Sequence, residues 1–229
     1  MTGSETPAER RQLVESRLMA TVAVLVAAAL SALLPSQVAV HPRWLLPAVA
    51  SALAVALFVA GTTRRELVDH PAELAWHRRT RMAALVMTGL LSLVNIVTGT
   101  RLVVDILRHQ GLHKANDLLW AGSSVWVVNV IVFALWYWEL DRGGRVARAL
   151  GEDGHDFLFP QWTVEPPFGS RDWEPEFFDY FYFSFTNAAA FSPTDVMPLS
   201  RWAKLTMMVQ SALSIGIILL VVANAINIL

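Results

Sequence analysis

The chain has 229 residues, a net charge of −1, 55% hydrophobic residues and only 16% charged ones. Soluble domains carry about 25% charged residues, so this composition excludes intrinsic disorder and argues against a water-soluble globule. The near-neutral balance speaks against nucleic acid as a partner, and the absence of cysteine excludes disulfides, thiolate metal sites and a cysteine nucleophile.

Residues 1–17 mix three Arg with three Glu and read as a polar segment, either a short flexible tail or an interfacial helix. A membrane helix needs about 20 apolar residues, because a rise of about 1.5 Å each must cross about 30 Å of hydrocarbon. Five charge-free runs meet that length: 18–40, 44–63, 82–100, 118–138 and 205–229. The first follows a segment that is acidic as well as basic, and no small-x-small cleavage site follows it, so it reads as an uncleaved anchor. Trp44, Trp120, Trp136, Trp138 and Trp202 lie at the ends of runs. An indole pairs an apolar face with one N–H donor and settles at headgroup level. The expected fold is an all-α, polytopic membrane protein with five transmembrane helices, multi-pass in the cell inner (plasma) membrane, with the lipid bilayer as its first partner.

Polar groups within the runs are few. Asn95 and Asn129 lie mid-run in consecutive spans, where an interhelical hydrogen bond is the expected role. Arg101 and Asp105, four apart, share a helix face. They are either an ion pair in a permeation path or a snorkelling pair at the headgroups. An alternative placement of residues 102–113 is in the interface, as an amphipathic linker. His109 and His113 also share a face, but Gly111 separates them and no HExxH motif exists, so no metal and no other cofactor is expected. Asn224, with Asn227, sits where the far end of a pore would lie. No GxSxG, Walker or GxGxxG motif is present and no His falls inside a run, so an enzyme is not expected.

The link from 139 to 204 is far longer than the others. Its first half is acidic and broken by Pro160, Pro166, Pro167 and Pro175, with Asp153, His155 and Asp156 reading as solvated. Residues 180–194, YFYFSFTNAAAFSPT, are charge-free but too short to cross. Pro175, Glu176 and Asp179 give a helix start, and Ser192-Pro193 a stop. A half-length helix is expected over 176–190 with a non-helical return over 191–200. Non-helical backbone at membrane depth survives only where protein or a water-filled cavity satisfies it. A re-entrant half-helix therefore implies a protein-lined cavity, built from several subunits. The chain divides into the tail 1–17, a three-helix region 18–117, and a module 118–229 of span, loop 141–175, half-helix, return and span 202–229.

That module resembles the pore module of potassium-channel-type cation channels, whose pore stretch reads Y-F-S-x-T-T-x-T-T-V-G-Y-G-D. Tyr182, Phe183, Ser184, Thr186 and Asp195 match it without a gap. The chain as a whole also resembles a family of bacterial integral membrane proteins of unassigned activity. The pore resemblance implies a homo-oligomer, a tetramer, that passes monovalent cations. It places the filter on Ala190, Phe191, Ser192, Pro193 and Thr194, where both filter glycines are lost. Pro193 fixes φ, and Ser192 and Thr194 resist the backbone geometry that glycine supplies, so a potassium-selective filter is not expected. What the resemblance retains is a half-helix whose C-terminal carbonyls favour a cation, with Thr186, Asn187 and Ser192 as further oxygen ligands and Asp195 as a charged ring at the mouth. The alternative is a packing wedge around Ala188–Ala190 in a non-conducting scaffold or accessory subunit.

Alternation of the spans puts fourteen of the eighteen Lys and Arg residues on the side of the long loop, which the positive-inside rule assigns to the cytoplasm. Channels of the resembled type insert their pore loop from outside. The charge rule is followed here.

Overall fold

The computed structural model describes residues 7–40, 42, 44–62, 71–108, 114–141, 155–165, 173–190 and 195–228. Among the described residues six α-helices carry the fold: α1 (Pro7–Ala32), α2 (Leu45–Thr62), α3 (Pro71–Arg108), α4 (Ala115–Leu140), α5 (Phe177–Ala190) and α6 (Arg201–Ile228). A two-residue antiparallel ladder joins β1 (Phe157–Leu158) to β2 (Met197–Pro198), and a 3₁₀ turn covers Pro160–Trp162. Among the described residues, three stretches are long and apolar enough to cross a membrane: Arg81–Arg108, Ala115–Leu140 and Arg201–Ile226. The protein is thus a mostly helical membrane protein.

Several boundaries differ from those read in the sequence. Helix α1 begins at Pro7, inside the stretch read as a flexible tail or an interfacial helix, because Pro at the first position tolerates its missing N–H and the residues after it are good helix formers. It ends at Ala32, not at residue 40. Pro35 stops it, and the carbonyl of Pro35 accepts the N–H groups of Val38 and Ala39 in a turn. The apolar part of α1 is Leu18–Ala32, shorter than a full span. Helix α3 runs on through Arg108, so the first part of 102–113 continues that helix. No Gly or Pro lies between Thr100 and Arg108 to interrupt it. The chain is not purely helical in its return segment, where β2 pairs with β1.

Side-chain bonds fix which helix ends lie together. The Trp120 indole donates to the Leu33 carbonyl (3.3 Å), and Arg101 donates to the Ala39 carbonyl (2.7 Å). The ends of α1 and α3 therefore meet the start of α4. At the opposite end, Arg81 near the start of α3's apolar stretch donates to the Glu139 carbonyl (3.3 Å).

Helix α4 is the centre of the bundle, with 72% of its apolar window buried against α1, α3, α5 and α6. Helix α6 is equally apolar, yet only 22% of its window is buried. It leaves Leu205, Met208, Leu219 and Ile226 exposed. The apolar face of α3, with Met82, Val86, Leu93 and Leu107, is exposed as well. Such continuous apolar surface fits hydrocarbon rather than water.

Helices α4 and α6 cross closely at Gly122, where an added Cβ would lie 2.5 Å from Val221 Cγ2. At Gly216 nothing stands within 4 Å. The two glycines therefore separate packing from propensity. Gly122→Ala is expected to lower stability by about 1–3 kcal/mol through overpacking, whereas Gly216→Ala leaves it unchanged or raises it by up to about 1 kcal/mol. Thermal unfolding of the two variants in the same detergent checks this, and equal melting temperatures would contradict it.

Candidate functional site

The half-length helix forms where the sequence places it. Its buried positions, Phe177, Tyr180, Phe183, Ser184, Asn187 and Ala188, recur at helical spacing, and Phe178, Tyr182, Phe185 and Ala189 form the exposed face. Aromatic residues favour strands in isolation, but only a helix puts all the buried ones on one side. Glu176 precedes the first helical residue, and its N–H donates to Asp179 Oδ2 (2.7 Å). That is the reciprocal half of a capping box. Burial pushes the Asp179 carboxyl above the usual aspartate range, while the N–H bonds from Glu176 and from its own backbone pull it back.

Contacts along α5 give its depth. Tyr180 donates to Asp141 Oδ2 (2.6 Å), just beyond the last residue of α4. Ser184 donates to the Val130 carbonyl (2.7 Å), and the Phe185 ring meets Trp126 edge-on at 5.6 Å. Helix α5 therefore runs antiparallel to α4, from that helix's C-terminal end to about its middle. After α5 the chain comes back. Asp195, exposed, accepts from the Tyr182 hydroxyl (3.3 Å), and β2 pairs with β1 beside Asp141. Both ends of 177–200 thus lie at the same end of α4, and α6 starts from there.

A loop residue seals that end. Phe157 is fully buried, with its ring 5.3 Å from Tyr137, 5.1 Å from Phe183 and 5.7 Å from Trp202. Asp156 is not solvated as the sequence suggests. Its carboxylate takes the Trp202 indole N–H (2.7 Å) and its carbonyl takes the Leu199 N–H (2.7 Å). Asp141, fully buried, accepts from the Asp156 N–H (3.1 Å) as well as from Tyr180. These bonds tie the loop, α4, α5 and α6 together at one level.

Deeper in, a polar hub joins the three helices. Gln210 of α6 accepts from Tyr137 (2.7 Å) and from Asn187 (2.8 Å), and donates to the carbonyl (3.0 Å) and hydroxyl (2.7 Å) of Ser184. Asn187 also donates to the Met207 carbonyl (3.2 Å). The Ser211 hydroxyl lies 3.3 Å from both the carbonyl and Oδ1 of Asn187, and so caps one of the last carbonyls of α5. Asn129 donates to Ser214 (3.1 Å) one turn further along.

The residues singled out in the sequence fall into groups. Asn187 is buried in the hub, and the Thr186 hydroxyl bonds back to the Phe183 carbonyl (2.9 Å). Ala190 ends α5, Asp195 stands at the surface, and Phe191, Ser192, Pro193 and Thr194 lie outside the described residues, as do His109 and His113. Asn129 pairs across helices as expected, with Ser214 of α6, and Asn95 is buried on α3. Asn224 turns back to the Leu220 carbonyl (3.0 Å) of its own helix. Arg101 anchors the turn after α1, and Asp105 is half-buried one turn on.

Gln210, Tyr137, Ser211 and Asp141 escaped the sequence reading. Gln210, Ser211 and Ser214 did leave a signal, being polar side chains inside an otherwise apolar span. Phe157 left none. Comparison with family models, with curated proteins and with solved structures finds no match to this chain.

The cap on α5 gives a testable slope. Because the folded state holds the Asp179 proton more tightly than the unfolded chain, its contribution to stability is full below the ordinary aspartate range and is lost as pH rises through the raised value. Asp179→Asn should flatten this part of the pH profile, and Asp179→Ala should cost about 1 kcal/mol for the lost cap. Unfolding midpoints between about pH 3 and about pH 7 check both, and a wild-type midpoint that climbs over that range for an Asp179-dependent reason would contradict the sign.

Proposed function

We propose that the chain is a five-span membrane protein whose α5 is a re-entrant pore-type half-helix, and that several copies together form a weakly selective cation channel. The level of α5 carries this reading: a helix that ends near the middle of α4, with its entry and its exit at the same end of the bundle. A helix of that kind aims the partial negative charge of its C-terminus into the membrane interior, which favours a cation. The order of α4, α5 and α6 is the order of the resembled pore module. Asp195, exposed at the return, supplies a carboxylate to each copy's mouth. Without the two filter glycines, discrimination between K⁺ and Na⁺ is poor.

Flux from liposomes loaded with K⁺ or Na⁺ tests the proposal. Comparable flux of both ions is expected, reduced severalfold by Asp195→Asn. No flux, or strong K⁺ selectivity, would sink it.

A second reading, a non-conducting scaffold or accessory subunit, draws on one observation. Asn187 and Thr186, the amide and hydroxyl nearest the end of α5, are both engaged in internal hydrogen bonds. The mass of the assembly in mild detergent separates the two readings. An oligomer is expected for a channel, since one half-helix cannot enclose a pore, and a monomer favours the scaffold.

A further inference from the structure

We propose that Gln210 is the positioning residue that sets the depth at which α5 ends, and so where its C-terminal carbonyls lie. That depth bears on permeation only through the channel reading above. A primary amide offers two N–H donors and an oxygen that accepts twice. At Gln210, fully buried, all four are used, by Tyr137 and Asn187 on the oxygen and by the carbonyl and hydroxyl of Ser184 on the nitrogen.

The direction of the amide is fixed. The Ser184 carbonyl can only accept, and the Ser184 hydroxyl has already given its proton to the Val130 carbonyl. The Asn187 nitrogen is held as a donor by the Met207 carbonyl. A flipped Gln210 would set oxygen against oxygen at Ser184 and nitrogen against nitrogen at Asn187. One side chain of α6 therefore grips α4 at Tyr137 and α5 at two positions about one turn apart. Sliding α5 by one residue moves it about 1.5 Å along its axis and turns it about 100°, which breaks both grips on α5 at once. The depth of α5 is set in steps and does not drift.

Among the described residues Tyr137 is the titratable group bonded to Gln210, and α5 offers it only Ser184 and Asn187. Substitution with an acid therefore makes a switch. In Gln210→Glu the side chain can donate to Ser184 only while it carries a proton.

Hydrogen exchange of the α5 amides, in the full chain in lipid nanodiscs at about pH 5 and about pH 9 and corrected for intrinsic rates, tests this. Wild type should lose between them only the small Asp179-dependent part of its protection, and each variant is read against wild type at the same pH. Gln210→Glu, whose protonated carboxyl keeps one of the two donations to Ser184, should be protected about as well as Tyr137→Phe at the lower pH and lose about tenfold relative to wild type at the higher, and Gln210→Leu should lose about tenfold at both. Tyr137→Phe, which removes one of the four bonds at constant shape, should fall between wild type and Gln210→Leu, and it keeps the test open if Gln210→Leu does not fold. Val24→Ala, a distant core truncation, should show no pH step. Equal protection of Gln210→Glu at the two pH values, or wild-type protection in Tyr137→Phe, would overturn the proposal. Liposome flux in the same variants separates the two claims. A silent wild type removes the channel reading and leaves the exchange result to decide on Gln210. A conducting wild type whose Gln210→Glu variant conducts equally at both pH values overturns the positioning role.

Discussion

A polar group taken out of water must find its hydrogen bonds inside the protein, and the architecture of α4, α5 and α6 follows from that constraint. Each unmade bond at a buried donor or acceptor costs about 1–3 kcal/mol. Three helices of apolar sequence could meet in many registers if only dispersion and area held them. Tyr137, Ser184, Asn187 and Gln210 remove that freedom, because their donors and acceptors match in one register. The hub is fully bonded at Gln210, the condition under which a buried polar network specifies a structure.

The upper level of the same assembly uses different physics for the same end. There Phe157, from an acidic, proline-broken loop, fills the space between Tyr137, Phe183 and Trp202. Edge-to-face ring contacts of this kind add about 0.5–1.5 kcal/mol each beyond the area they bury. Around them the two carboxylates, Asp141 and Asp156, take hydrogen bonds from Tyr180, Trp202 and the backbone. The half-length helix is held by aromatic packing and capping where the chain enters, and by amide and hydroxyl bonds where it ends.

Part of this was legible in the chain. The limits of α5 followed from Pro175, Glu176 and Asp179 at one end and Pro193 at the other, since proline and first-turn carboxylates act locally. The runs behind α3, α4 and α6 followed from length and hydropathy. The end of α1 was misplaced because a charge-free run says nothing about Pro35 closing a turn inside it. The interhelical bond expected of Asn129 is present, but its partner, Ser214 of α6, could not be read from the chain because the two residues lie far apart in sequence. Asp156 looked solvated because its partners, Leu199 and Trp202, lie more than forty residues away.

Composition and the lengths of the apolar runs by themselves determined that this is a helical membrane protein and that the run over 180–194 is too short to cross. Both facts depend on the count of apolar residues and on local stop signals. What only the tertiary structure decided is which apolar helix faces protein and which does not. Helices α4 and α6 read alike as sequence, yet 72% of one window and 22% of the other are buried. Hydropathy records that a side chain avoids water. It does not record whether lipid or a neighbouring helix takes the water's place, and that choice was made by the directional bonds of a few polar residues and by the close approach at Gly122.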